Sequence, residues 1–182
     1  DMVSRGLGDV YKRQGKICKW ISDKDTDLQV GVTLSEGKKR VCVVFRGSES
    51  KSDWYYDFMI VKEGLRMDSL TKSPSVNVHS GFLAQLMTNN VYSVLVETVK
   101  DLLKDHPDYE VCITGHSLGG ALSTLFGFMI SHELDNKVTV TSFASPRVGD
   151  WEWKKAFDAK SNLYHYRVTN QRDAITAVPM IN

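Results

Sequence analysis

The chain has 182 residues, of which 42% are hydrophobic and 25% charged, a composition that suits one globular domain and excludes two full ones. The formal net charge of +1 gives no large field of one sign, so we predict no nucleic-acid partner. No run approaches the roughly 20 apolar residues of a membrane-spanning helix, so no transmembrane segment is predicted. These observations leave the compartment open, secreted or cytoplasmic.

Residues 1–14 (DMVSRGLGDVYKRQ) show no periodicity that joins them to the chain that follows, and they lack the pattern of a secretory signal. We interpret them as a non-native or fragment-edge segment and place the domain at 15–182. The three cysteines, Cys18, Cys42 and Cys112, cannot all pair within one chain. We expect them to be reduced, with Cys42 and Cys112 as small buried thiols in apolar strands.

Four short runs rich in β-branched and apolar residues predict strands, at residues 40–45, 111–114, 138–143 and 163–168. The first is apolar almost throughout, which predicts a strand buried on both faces. Helical spacing predicts helices over 81–104, broken at Asn89-Asn90, and over 117–133, and a shorter one after Asp150 as its N-cap. This alternation predicts an α/β fold, with a mainly parallel sheet and helices on both faces.

A pentapeptide in the middle of the chain carries the strongest chemical signal. Gly115-His116-Ser117-Leu118-Gly119 lies between an apolar strand and a helix, the setting of a nucleophile elbow. Glycines at the flanking positions remove side chains that would collide in so tight a turn. Ser117 would then present its hydroxyl at the helix start, with the Leu118 N–H as the first oxyanion donor. The alternative is that Ser117 is a plain helix N-cap.

Five ordered segments resemble motifs of the class 3, fungal-type triacylglycerol lipases. They are residues 44–48 (VFRGS), 78–82 (VHSGF), 113–122 (ITGHSLGGAL), 143–149 (FASPRVG) and 166–179 (YRVTNQRDAITAVP). The resemblance covers about residues 38 to 180 and implies a partial α/β-hydrolase domain. It also implies hydrolysis of acylglycerol esters through an acyl-enzyme on the serine of the elbow.

By the same resemblance, Ser48 matches the second oxyanion position of the family and Asp173 matches its triad carboxylate. Both residues follow predicted strands, as do Ser117 and Ser145, so all four are expected at the carboxyl edge of the sheet. Ser48 could instead be an ordinary loop serine. Asp150 is the alternative carboxylate, although its position suits a helix cap.

The family's chain order of serine, aspartate and histidine requires a histidine after Asp173, and none occurs between Asp173 and Asn182. The histidines that are present each have a structural explanation, with His79 the most open to a catalytic one: His79, His106, His116, His132 and His165. We therefore expect the sequence to stop before the family's catalytic histidine, and the 182 residues alone to be nearly inactive.

The segment 49–70 is rich in aromatic residues and falls where fungal-type lipases carry a lid. A mobile amphipathic cover that includes Trp54 would turn its apolar face toward a lipid surface. Trp54 and Phe58, four residues apart, could equally anchor a fixed helix. Asp57 matches a position that supports the oxyanion loop in the family.

The chain has no metal-ligand spacing, phosphate loop or nucleotide fingerprint, so we predict no cofactor and no metal. The expected partner is a lipid or ester substrate, with transient contact to a lipid interface. Three hypotheses remain open: an acylglycerol lipase or esterase, a phospholipase A or feruloyl-type esterase of the same fold, and a catalytically silent lipid-binding homologue.

Overall fold

The structure is a computed structural model, and it describes residues 15–47 and 76–170 together with Thr176. Within these residues one six-stranded sheet has the order β1-β2-β3-β4-β5-β6. The strands are β1 (Lys16–Asp23), β2 (Leu28–Ser35), β3 (Arg40–Phe45), β4 (Glu110–His116), β5 (Val138–Phe143) and β6 (Leu163–Val168). The pairs β1-β2 and β2-β3 are antiparallel, whereas β3-β4, β4-β5 and β5-β6 are parallel. The mainly parallel sheet and its four predicted strands are confirmed.

The helices also follow the sequence pattern closely. They are α1 (Ser80–Met87), α2 (Val91–Asp105), α3 (Leu118–Ile130) and α4 (Trp151–Asp158). The predicted break between the first two is a short 3-10 turn at Thr88–Asn90, where Asn89 and Asn90 have φ values of 51° and 59°. Asparagine tolerates this left-handed conformation better than most residues, which explains why the helix breaks there.

The core lies between one face of the sheet and the described helices. Val41, Val43, Val111 and Val140 point into it, and α2 and α3 cover them. Every residue of α3 is buried. This close packing depends on Gly127, because a Cβ there would lie 2.3 Å from Cγ2 of Val140 on β5.

The opposite face of the sheet is partly exposed in the described structure. Val44 of β3 is 44% exposed and Phe143 of β5 is 42% exposed, so β3 is buried on one face and not on both as its apolar run predicts. The three cysteines are free, but each is half-buried and not fully buried as expected for Cys42 and Cys112. Among the described residues, no helix is both long and apolar enough to cross a membrane.

Candidate active site

Ser117 occupies a strained turn between the end of β4 and the start of α3. Its backbone has φ 55° and ψ −123°, a conformation that costs a non-glycine residue free energy and persists only where the surroundings enforce it. The Ser117 side chain makes no capping hydrogen bond to α3. A plain N-cap serine has extended backbone and an engaged hydroxyl, so the structure does not match that alternative.

The glycines of the motif permit the tight turn. A Cβ on Gly115 would lie 2.1 Å from the carbonyl oxygen of Gly119, and a Cβ on Gly119 would lie 2.5 Å from the carbonyl oxygen of Phe45. Both contacts are with backbone atoms, which cannot rotate away as a flexible side chain could. The turn therefore packs against the end of β3 as closely as backbone allows, as the sequence motif predicts.

Backbone hydrogen bonds hold the turn from two directions. The Ser117 N–H donates to the carbonyl of Phe143 at the end of β5, 2.9 Å away. The N–H groups of Gly120 and Ala121 donate to the Ser117 carbonyl at 2.9 and 3.2 Å. Ser117 is thus fixed where the carboxyl ends of β3, β4 and β5 meet, which is the predicted edge of the sheet.

The electrostatic setting of Ser117 favours developing negative charge. Its hydroxyl sits at the N-terminal end of α3, where unpaired N–H groups carry the positive end of the helix dipole. Ser117 is 8% exposed and Leu118, the first residue of the helix, is also 8% exposed. Hydrogen bonds from such N–H groups are stronger in a water-poor site than at an open surface.

Ser145 and Arg167 extend this edge of the sheet. Ser145 is buried, and a Cβ on Gly120 of α3 would lie 2.9 Å from its Cβ. The Arg167 guanidinium donates to the carbonyl oxygens of Ser145 and Thr176, at 2.8 Å in each case. Desolvation, with a smaller contribution from nearby Arg147, lowers the pKa of Arg167.

The sequence does not predict the role of Arg167. Its bond to Thr176 fixes the backbone three residues beyond Asp173 against the loop that follows β5. The only sequence signal is a basic residue near the end of the strand 163–168, which by itself indicates nothing.

Asp150, the alternative carboxylate, is engaged elsewhere. Its Oδ1 accepts from the Trp153 N–H at 2.8 Å, which caps α4, and its Oδ2 accepts from Asn77 at 2.7 Å. The predicted helix cap is confirmed. Both carboxylate oxygens serve structural contacts, so Asp150 is poorly placed to orient an imidazole.

Three of the five histidines, His79, His106 and His132, have contacts that explain them structurally. The His79 Nδ1 accepts from the Gly81 N–H at 3.2 Å and caps α1, the structural role that was the favoured expectation. His106 stacks on Tyr109, with ring centroids 4.5 Å apart. The Nδ1 of His132 lies 2.8 Å from the carbonyl oxygen of Phe128. His116, the residue before Ser117, is exposed.

His165 is half-buried on β6. Its Nε2 lies 2.8 Å from Oγ of Ser142, and Ser142 is fully buried. Burial, assisted by the positive charge of Arg167, lowers the pKa of His165 to about 4. This serine–histidine pair lies under α4, beside Phe157, so substrate cannot reach the Ser142 hydroxyl.

His116 contributes backbone to the elbow. A Cβ on Gly47, just beyond β3, would lie 2.7 Å from the His116 carbonyl oxygen, so these two loop backbones are in close contact. Within the described residues, none of the five histidines has a hydrogen bond to the Ser117 hydroxyl. Ser48, Trp54, Asp57 and Asp173 lie outside the described residues, as does the proposed lid at 49–70.

Comparisons with known proteins agree with this geometry. The family model for lipase (class 3) matches residues 42–182. A lipase of Rhizomucor miehei is 32% identical over 168 residues, which are 90% of this chain and 44% of that protein. Phospholipase A1-II 3 of Oryza sativa subsp. japonica is 31% identical over 175 residues, covering 81% of this chain and 40% of the relative. The chain therefore spans less than half the length of these two relatives.

Solved structures of lipases share the fold. A triacylglycerol lipase from Penicillium expansum superposes with a TM-score of 0.82 at 26% identity, covering 92% of this chain and 66% of the other. A triacylglycerol lipase whose catalytic centre is a serine protease triad superposes with a TM-score of 0.80 at 30% identity, covering 91% and 61%. The predicted α/β-hydrolase fold is confirmed.

Proposed function

We propose that the protein is a serine carboxylester hydrolase acting on acylglycerols. The chain belongs to the class 3 lipase family. The observation that carries the proposal is the strained Ser117 turn, with a side chain that makes no capping bond at the start of a buried helix. The fold needs no serine hydroxyl there for capping. A role as nucleophile explains why the fold keeps the Ser117 backbone in a strained conformation.

In the proposed reaction, Oγ of Ser117 attacks the acyl carbonyl while its proton passes to a histidine base. The carbonyl oxygen becomes an oxyanion, which the Leu118 N–H and Ser48 would stabilise from opposite sides. The intermediate collapses to an acyl-enzyme as the leaving alcohol takes the proton from the histidine. Water then attacks the ester and regenerates Ser117.

The remaining triad members are also proposals. Asp173 would accept a hydrogen bond from the histidine and hold its tautomer. The Arg167 bond to the Thr176 carbonyl supports this assignment, because it holds Thr176, three residues beyond Asp173 in the sequence, at the sheet edge that carries Ser117. We propose that the base belongs to a part of the protein outside these 182 residues, since none of the five histidines has a hydrogen bond to the Ser117 hydroxyl in the described structure.

The test compares the full-length protein with Ser117→Ala and with Ser131→Ala as a matched control. Ser131 is a buried serine at the other end of α3, where its Oγ donates to the Phe128 carbonyl. With p-nitrophenyl butyrate, we expect Ser117→Ala to lower kcat/KM by roughly three orders of magnitude or more. Ser131→Ala should retain most of the activity. Background rates in the unsubstituted protein, or full activity in Ser117→Ala, would contradict the proposal.

A phospholipase is the second candidate, and the similarity to phospholipase A1-II 3 is what favours it. Emulsified tributyrin, phosphatidylcholine vesicles and methyl ferulate separate the three ester classes when fatty acid or ferulate release is measured. We expect the highest kcat/KM with the acylglycerol. Binding to vesicles without release from any ester would indicate the silent lipid-binding homologue.

Transient contact with a lipid interface forms part of the same proposal. It is supported by the aromatic composition of residues 54–60 (WYYDFMI) and by the lipases among the relatives. The measurement is the rate against tributyrin concentration through its solubility limit. A rate that rises sharply when droplets form supports interfacial contact, and simple saturation below that limit contradicts it.

A further inference from the structure

Two of the three thiols occupy paired positions on neighbouring strands. Cys42 of β3 is the register partner of Cys112 of β4. Register partners point to the same face of a sheet, and neighbouring strands are about 4.8 Å apart. This spacing falls within the roughly 4.4–6.8 Å that separates the Cα atoms of disulfide-bonded cysteines. Both thiols are free and half-buried.

The third thiol is excluded from this pair by the topology. Cys18 lies in a bulge of β1, and β2 separates β1 from β3. Two strand spacings amount to about 10 Å, too far for a bond to Cys42 without movement of the backbone. Cys18 donates to the Lys16 carbonyl of its own strand. It therefore serves as an internal control for the chemistry of the other two.

Charged groups adjoin the pair, two of them on the same strands and one just before β5. Arg40 forms an ion pair with Glu110, its own register partner, and Lys137 contacts the other oxygen of Glu110 at 3.3 Å. The Cys112 thiol donates to Oε1 of Glu110, 3.7 Å away. The two thiols therefore lie beside charged groups on the sheet and not in the apolar core. A thiol in the apolar core would be inert.

The two thiols have different acidities. A hydrogen bond from the Cys112 thiol, assisted by Thr33 and by the charge of Arg40, lowers the pKa of Cys42 to about 7. The same contact, with burial and the charge of Glu110, raises the pKa of Cys112. The Cys112 proton can turn from Glu110 to the Cys42 sulfur when that sulfur ionises. One thiol is thus suited to attack an oxidant and the other to supply a proton.

We propose that Cys42 and Cys112 form a redox-reactive pair that a hydroperoxide converts into a reversible disulfide between β3 and β4. The pair lies on the face of the sheet opposite α3, and it is separate from the Ser117 turn. The proposal therefore does not depend on the proposed hydrolase activity.

The reaction proceeds in two balanced steps. The Cys42 thiolate attacks one oxygen of hydrogen peroxide, the O–O bond breaks, and Cys42 becomes a sulfenic acid while hydroxide leaves and takes up a proton. The Cys112 sulfur then attacks the Cys42 sulfur, the S–O bond breaks, and the Cys112 proton leaves with the hydroxyl as water. Two thiols lose two electrons in total, and one peroxide is reduced to two waters.

The experiment treats the reduced, full-length protein with one equivalent of hydrogen peroxide, alkylates the remaining thiols and maps tryptic peptides by mass spectrometry. We expect a disulfide that joins peptide 41–46 to peptide 105–137, together with alkylated Cys18. Dithiothreitol should restore all three alkylation sites. The Cys18→Ser variant should form the same link to the same extent.

The single variants separate the two roles. Cys112→Ser should retain the peroxide-reactive thiol but lack the resolving one, so dimedone should trap a sulfenic acid on peptide 41–46. Cys42→Ser should form no link and should leave Cys112 reduced at the same peroxide dose. The proposal is overturned if Cys42 and Cys112 both remain alkylatable after oxidation, if Cys42 proceeds to a sulfinic acid without a link, or if the link involves Cys18.

Discussion

Protonation of His165 should destabilise the fold at mildly acidic pH. The imidazole is packed against Phe157, with ring centroids 5.5 Å apart, and its Nε2 is 2.8 Å from Oγ of Ser142. Burial is the largest cause of its low pKa, Arg167 lowers it further, and Asp158 partly opposes them. The folded state therefore holds His165 neutral at pH values where the unfolded chain protonates it.

The size of the effect follows from the two pKa values, 6.5 for the unperturbed group and about 4 in the fold. The contribution is fully present above the unfolded pKa, is lost as the pH falls toward 4, and then levels off. At pH 5 the unfolded imidazole is about 97% protonated and the folded one about 9%, which corresponds to about 2 kcal/mol. Below pH 4 the loss reaches roughly 3 kcal/mol.

Urea unfolding of the unsubstituted protein and of His165→Gln, at pH 7 and pH 5, measures this contribution. Glutamine keeps a polar nitrogen for Ser142 but does not titrate, so the variant should lose about 2 kcal/mol less between the two pH values. Equal losses in both proteins, or an NMR titration that places the pKa of His165 at or above 6.5, would refute the reasoning. His165→Gln should also hydrolyse esters normally at pH 7, because this imidazole contacts Ser142 and not Ser117.

Three further substitutions test the packing that positions the site. Gly119→Ala should destabilise the fold by about 2 kcal/mol or more, since its Cβ would lie 2.5 Å from the Phe45 carbonyl oxygen; a midpoint unchanged in urea contradicts this. Asp150→Ala should cost about 1 kcal/mol in the same assay, because the Trp153 N–H loses its cap. Phe126→Ala removes a fully buried ring and should lower the unfolding free energy by about 3–5 kcal/mol, and a loss below 1 kcal/mol would mean that the core collapses around it.

The sequence predicts the parallel half of the sheet well because its elements have strong local signals. The strands 40–45, 138–143 and 163–168 match the observed bounds, and Asn89-Asn90 marks the break between α1 and α2. The hairpin of β1 and β2 was not predicted, although Leu28, Val30, Val32 and Leu34 alternate strictly and are all buried. β1 has a weaker pattern because it is an edge strand, exposed at Ile17 and Trp20 and interrupted by a bulge.

The sequence predicts the tight turn at Ser117 because backbone sterics dictate the residue types there, whereas the catalytic roles stay predictions. Gly115 and Gly119 leave no room for a Cβ, so the motif itself records the geometry of the turn. Arg167 was missed because its contacts with Ser145 and Thr176 depend on loops whose approach no local pattern encodes. The relation between Cys42 and Cys112 was missed for a similar reason, since it follows from the register of two strands 70 residues apart.

The strained conformation of Ser117 persists because several independent contacts would have to break before it could relax. Its N–H is held by β5 through the Phe143 carbonyl, its own carbonyl accepts from Gly120, and Gly119 contacts the end of β3. Relaxing φ from 55° would pull the first turn of α3 away from the sheet, and every residue of α3 is buried. The burial of that helix therefore supplies the free energy that keeps the serine in its strained conformation.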